Sequence, residues 1–257
     1  MVSQSKEVVM VTRKAYLVLL GLLMLVLILS GWALSAQMQV RKLEKSAVAL
    51  HYQFEYKGDE HNLTLSIPVR DYLDYKERPR PSWLNYRAMA SHPYYYFAEY
   101  VSLATDPGDD QLIDLIVGNL NEAATADGLG DQERAELALN FVQSLTYIGD
   151  NVTTSFDEYP RYPVETLFDR EGDCEDTSIL LAAILEEMGY DVALLLFEEF
   201  DHIGLGISFP PDYEMYGNSW IYEGKRYWYL DTSGHHSIGW CPEPYDKTSA
   251  YVYPVGG

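Results

Sequence analysis

The apolar pattern divides the chain into a membrane-like beginning and an amphipathic remainder. From Tyr16 to Leu34 nearly every position is apolar, a run of 19 residues (YLVLLGLLMLVLILSGWAL). A helix of that length crosses a hydrocarbon core of roughly 30 Å. Arg13 and Lys14 precede the run, Arg41 and Lys42 follow it, and Trp32 sits near one end, where an interfacial aromatic belongs. The pattern predicts a short basic tail over 1–15, a transmembrane signal anchor over 16–35 and a stalk over 36–47. A cleaved signal peptide competes with the anchor, since Ser35 and Ala36 are small enough for a cleavage site; the length of the run favours the anchor. Three basic residues flank each side, so positive charge alone leaves the orientation open. The signal-anchor layout and two glycosylation-type sequons, Asn62-Leu-Thr64 and Asn151-Val-Thr153, place the C-terminal part outside the cytoplasm.

Beyond the stalk the period changes. Val48–Tyr56 and Leu63–Val69 alternate apolar and polar residues around the turn-forming KGDEHN, which predicts a β-hairpin. Residues 70–98 hold three prolines and many tyrosines and read as an irregular wrapping segment; with the hairpin they make a unit over 48–105. From 106 to 257 the pattern is that of a second unit. Leu112, Ile113, Leu115, Ile116 and Leu120 form a helical stripe that ends at the Gly-rich Asp127–Gly130. Asp131 is placed as the cap of a second helix running through Gln143, with Ala135, Leu137, Ala138, Phe141 and Val142 inward. A loop over 149–163 leads to a third helix, begun by Asp173, whose centre from Ile179 to Leu185 is apolar all round and so predicts burial. Gly189 stands where a helix-ending glycine belongs. Strand candidates follow at Asp191–Phe197, His202–Phe209, Ser219–Tyr222 and Lys225–Leu230, the last two joined by Glu223-Gly224. Helices, a buried helix beginning at a cysteine and then an antiparallel sheet make an α+β arrangement.

Charge narrows the partners. The net charge is −21, with about +4 on residues 1–45 and −25 on the rest. Such a domain repels nucleic acid and anionic headgroups and attracts cations or basic protein surfaces, and a surface this acidic also suits a salty exterior. The two cysteines, Cys174 and Cys241, exclude a disulfide framework. A single bridge between them would consume the best nucleophile in the chain.

That nucleophile is Cys174. A thiol needs a helix N-terminus, an imidazole partner or both before it attacks, and a third group to orient the imidazole. Cys174 stands in the first turn of the buried helix, where dipole and free N–H groups favour negative charge. His202 opens a strand, and Asp231 ends another that can lie beside it. His235 and His236 are rival bases in a Gly-Ser loop, and Cys241, in Trp-Cys-Pro, lacks a helix context. Tyr159, Tyr162, Trp220 and Trp228 are candidate cleft walls, with sheet packing as the plainer role.

The runs Gly172-Asp-Cys174-Glu-Asp176, Asp201-His202-Ile-Gly-Leu-Gly206 and Tyr227-Trp-Tyr-Leu-Asp231-Thr-Ser233 resemble the transglutaminase-like superfamily, which shares a papain-like core. Tyr159-Pro-Arg-Tyr-Pro-Val-Glu-Thr166 resembles archaeal, membrane-anchored members of that group, and GDCED is similar to the bacterial transglutaminase-like cysteine proteases. The resemblance covers residues 46–240 and is strongest over 159–233. It implies Cys174 as nucleophile, His202 as acid/base and Asp231 as orienting carboxylate, breaking or exchanging an amide through a thioester. It also implies calcium near Asp173, Glu175 and Asp176, whose carboxylates suit a hard cation but raise the pKa of a neighbouring thiol; no cofactor is otherwise required. The expected partners are a protein or peptide substrate, the membrane through the N-terminal helix, and the cell envelope. Hydrolysis is favoured over transamidation, which the residues leave open, and a non-catalytic surface module on the same fold is the rival from another class.

Overall fold

The structure is a computed structural model that describes residues 2–78, 80, 93–149, 152, 159–200 and 202–256. Asn151 and Thr153 of the second sequon and Asp201 therefore fall outside the described residues, as does most of 79–92 and of the loop over 149–163.

The chain forms two units. The first is dominated by one 43-residue helix, α1 (Val2–Glu44). Within it Leu19–Lys42 has a mean hydropathy of 2.3, is unburied, and is long and apolar enough to cross a membrane. The segment read as a stalk is thus a continuation of α1 as far as Glu44. Gln37, Gln39 and the basic residues after it carry no glycine or proline that would stop a helix.

The second unit begins with strands β1 (Ala47–Tyr56) and β2 (Asp59–Pro68). The turn is tighter than the six residues expected. Lys57 and Gly58 alone make it, with φ of 53° and 91°, the positive pair that matches the twist of a hairpin. Alternation buries Tyr52, Phe54, Tyr56, Leu63, Leu65 and Ile67 on one face. The wrapping segment is more regular than its prolines suggested: it holds α2 (Val69–Lys76) and the start of α3 (Pro93–Ala104). Pro93 occupies a first helical position, where its missing N–H costs nothing.

Next come α4 (Asp110–Ala126) and α5 (Asp131–Gln143). Ile113, Ile116 and Leu120 are buried on α4, whereas Leu115 lies off the stripe and is exposed. The cap of α5 is Gly130, not Asp131, because Glu133 Oε2 reaches back to the Gly130 N–H (2.8 Å) and so leaves Asp131 inside the first turn. The short α6 (Pro163–Asp169) was not foreseen; Pro163 starts it and Glu165 closes a capping box on the Tyr162 N–H. Its neighbours β3 (Thr146–Tyr147) and β4 (Glu171–Gly172) pair in parallel.

Helix α7 (Cys174–Glu187) runs through the middle. Asp173 is its cap and Asp176 completes the box, while every residue from Ser178 to Leu185 is buried. Gly189 adopts φ 87° and donates to Glu186 O as Tyr190 donates to Leu185 O, the paired bonds of a Schellman ending. Five antiparallel strands cover α7 in the order β7-β8-β6-β5-β9: β5 (Asp191–Phe197), β6 (His202–Ser208), β7 (Ser219–Tyr222), β8 (Lys225–Leu230) and β9 (Tyr251–Val255). Strand β9 escaped the pattern reading because Pro254 argues against a strand; it is an edge strand, where proline is tolerated.

The two faces of this sheet differ. Leu194, Leu196, Ile203, Leu205 and Leu230 join the core against α7. On the other face Leu195, Phe197, Tyr227 and Tyr229 form a second, aromatic cluster. Burying a Leu, Ile or Phe side chain is worth about 1.5–3 kcal/mol. The start of α7 is thereby held against the start of β6.

Candidate active site

Capping sets the position of Cys174. Asp173 Oδ1 accepts from the Asp176 N–H and the Thr177 hydroxyl donates to Asp173 O (2.5 Å), which locks the first turn. Thr177 also meets Thr232, the residue after Asp231, at 2.8 Å. Arg161 and Asp176, both buried, clamp the same turn from the side. The Arg161 N–H donates to Asp176 Oδ1 (2.7 Å), and Nη1 donates to Asp176 Oδ2 (2.9 Å) and Glu171 O (3.0 Å). Gly172 admits this arrangement: a Cβ there would lie 2.6 Å from Asp176 Cβ. The G and the second D of GDCED are therefore structural residues beneath Cys174.

Cys174 is buried, and the backbone N–H of Ile203, the neighbour of His202, acts on its thiol. The thiol donates to Glu175 Oε2 at 2.8 Å. Burial first, then the Glu175 carboxylate, pushes its pKa well above the usual value; the Ile203 N–H offsets part of this. Tyr147, half exposed, lies near enough for the thiol to act on its phenol. Cys174 thus rests as a protonated thiol. Glu175→Gln keeps the shape and removes the charge. It should speed alkylation of Cys174 by iodoacetamide at pH 7 by about 10-fold; an unchanged rate would assign the effect to burial alone.

His202 stands first in β6, paired with Phe197. It lies on the aromatic face, with Tyr245 stacked on it at 4.7 Å and 16°. Burial lowers its pKa below 6.5, and the charge of Asp231 works the other way. Asp231 follows β8, and the pairing of Leu230 with Leu205 carries it beside Gly204, on the face of His202. Its Oδ1 accepts from the Ser233 N–H (2.8 Å) and hydroxyl (2.5 Å). Among the described contacts, His202 Nε2 is hydrogen-bonded to Tyr229 Oη (2.9 Å). Gln143 Nε2 ties Asp231 O (2.7 Å) to His236 O (2.9 Å).

The described contacts thus bring Ile203, the neighbour of His202, to the Cys174 thiol and the charge of Asp231 to His202. The other candidates lie elsewhere or serve packing. The His236 ring stacks on Trp240, His235 is exposed, and both cysteines are free. Tyr159 donates to Glu165 (3.1 Å), Tyr162 is buried, and Trp220 packs on Phe197 and Tyr229. Trp228 lines a cavity of roughly 930 Å³ with Tyr190, Phe209 and Tyr213, at the opposite ends of β5 and β6. Residues missed by the sequence reading include Tyr147, Gln143, Tyr245 and Tyr229. Only Tyr229 carried a signal, its period-two relation to Asp231.

No family model and no curated protein matches this chain. Among solved structures it is similar to Legionella pneumophila LapG, with 22% identity, 55% of this chain and 74% of that chain covered, and a TM-score of 0.34. For EGTA-treated LapG the values are 21%, 61%, 78% and 0.36. For calcium-bound LapG they are 18%, 60%, 81% and 0.33.

The three carboxylates proposed for calcium do not form a ligand set. Asp176 is engaged by Arg161, Asp173 caps α7 and Glu175 accepts the thiol. Among the described residues no group of three or more His, Cys, Asp or Glu is arranged to hold a metal ion. The site as folded therefore does not fit calcium, and no step below is routed through one.

Proposed function

We propose that this chain is a membrane-anchored, thiol-dependent amide hydrolase of transglutaminase-like type, its domain outside the cytoplasm and its substrate a protein or peptide. The observation that carries the reading is the approach of the α7 N-terminus to the start of β6. The Ile203 N–H, next to His202, acts on the Cys174 thiol, and the charge of Asp231 acts on His202.

The resting pair is neutral, a thiol beside an uncharged imidazole. As sulfur attacks the amide carbonyl carbon, His202 takes the thiol proton. The first-turn N–H groups of α7, which lack carbonyl partners within the helix, stabilise the oxyanion. The C–N bond then breaks, and His202 returns the proton to the leaving amine. Water attacks the thioester, His202 accepts its proton, and the acid and free thiol are released. Asp231 stabilises the imidazolium that exists between these steps.

The rival reading, a non-catalytic surface module, draws on the thiol's bond to Glu175 and on its raised pKa. Iodoacetamide labelling of Cys174 separates the two. At pH 7 the wild type should react at least about 10-fold faster than His202→Ala, because imidazole removes the thiol proton during attack. Equal, slow labelling of both proteins would favour the surface module.

A further inference from the structure

Resting on that reading, we infer that Tyr229 is the positioning residue of His202, accepting the Nε2–H so that Nδ1 is left as the lone-pair nitrogen that takes the Cys174 proton. Tyr229 Oη lies 2.9 Å from His202 Nε2. The Asp231 carboxylate, by contrast, holds the hydrogen bonds of Ser233 and reaches the imidazole through its charge.

The fold is cut to fit this phenol. Gly206 is paired with Tyr229 across β6 and β8, and Gly204 lies one pleat further along the same face. A Cβ on Gly204 would overlap Tyr229 Cε2 and stand 2.8 Å from Oη and 2.9 Å from Cζ. A Cβ on Gly206 would stand 2.7 Å from Tyr227 Cβ. Gly204 thus makes the groove in which the Tyr229 ring lies, and Gly206 leaves room for Tyr227 beside it. Phe197 meets that ring edge-on at 5.8 Å and 81°, and Trp220 meets it at 5.7 Å and 60°. The ring is fully buried. Tyr245 closes over the imidazole itself. A hydroxyl so fixed holds one ring orientation, and with the hydroxyl as acceptor the tautomer is Nε2–H. Asp231 then contributes its field and Tyr229 the geometry.

The test is the ¹⁵N spectrum of histidine-labelled full-length protein in detergent micelles, with Cys174 alkylation measured across pH. The wild type should show His202 as the Nε2–H tautomer. Tyr229→Phe removes one oxygen and should mix the tautomers and slow alkylation by about 10-fold, the range of one neutral hydrogen bond. Asp231→Asn should keep the tautomer while shifting the pH profile. A Tyr229→Phe protein with unchanged tautomer and profile overturns the inference, as does loss of the tautomer in Asp231→Asn. Should Tyr229→Phe not fold, the Asp231→Asn spectrum decides alone. If wild-type Cys174 shows no His202-dependent reactivity, the hydrolase reading falls, while the spectrum still reports on Tyr229.

Discussion

Replacing Arg161 by Ala should destabilise the folded domain by about 3–5 kcal/mol, the cost of leaving one member of a buried ion pair alone. Arg161 is 2% exposed and Asp176 is fully buried. The guanidinium donates to Asp176 Oδ2 and to Glu171 O, and alanine supplies neither bond. The Asp176 charge would keep the backbone N–H groups of Arg161 (2.7 Å) and Asp173 (3.4 Å) but lose the guanidinium. Urea unfolding followed by tryptophan fluorescence measures the loss. The double variant Arg161→Met/Asp176→Leu should lose less than the sum of its single variants, because it leaves no orphaned charge. A loss under about 1 kcal/mol in Arg161→Ala would mean a solvated pair and would remove the clamp from this account. Alkylation of Cys174 should slow in the same variant, since Asp176 also completes the cap that sets the first turn of α7.

The second large effect is on pH dependence. A general base works only when uncharged, so the rate rises with pH through the histidine pKa. Burial lowers that pKa below 6.5. The acid limb of alkylation, or of kcat/KM once a substrate is known, should therefore lie below pH 6.5. Asp231 raises the same pKa, so Asp231→Asn should move the limb to still lower pH. His202→Ala should abolish the limb and cost about 10²–10⁴ in rate. A limb above pH 7, or one that rises in Asp231→Asn, would contradict the assignment of His202 as base. Stability is linked in a matching sense. The unfolded chain protonates His202 more readily than the folded one, so this residue's contribution to stability is lost as pH falls through and below 6.5.

These expectations depend on contacts between segments far apart in the chain, and that separates what the amino-acid order could reveal from what it could not. The strands β5, β7 and β8, and α5 and the buried centre of α7, were legible because period-two and period-3.6 patterns and glycine stops act within a few residues. Cys174 at a helix start beside Asp173 and Asp176 was legible for the same local reason. The span over Leu19–Lys42 was a matter of length and hydropathy. By contrast, the choice of Gly130 over Asp131 as a cap turned on a single side-chain bond. Strand β9 turned on which edge of the sheet was left to fill.

The assembled site belongs to tertiary structure. The register of β6 against β8, not the spacing of His202 and Asp231, brings Tyr229 to the imidazole. The diversion of Asp176 to Arg161, 15 residues upstream, takes a carboxylate away from any calcium set. The bond from Cys174 to Glu175 joins neighbours, yet the largest cause of the raised thiol pKa is burial. Local order along the chain determined which groups were available for chemistry. Packing determined their partners and their charge, because desolvation and hydrogen bonding depend on the atoms that close around a group, and those come from every part of the chain.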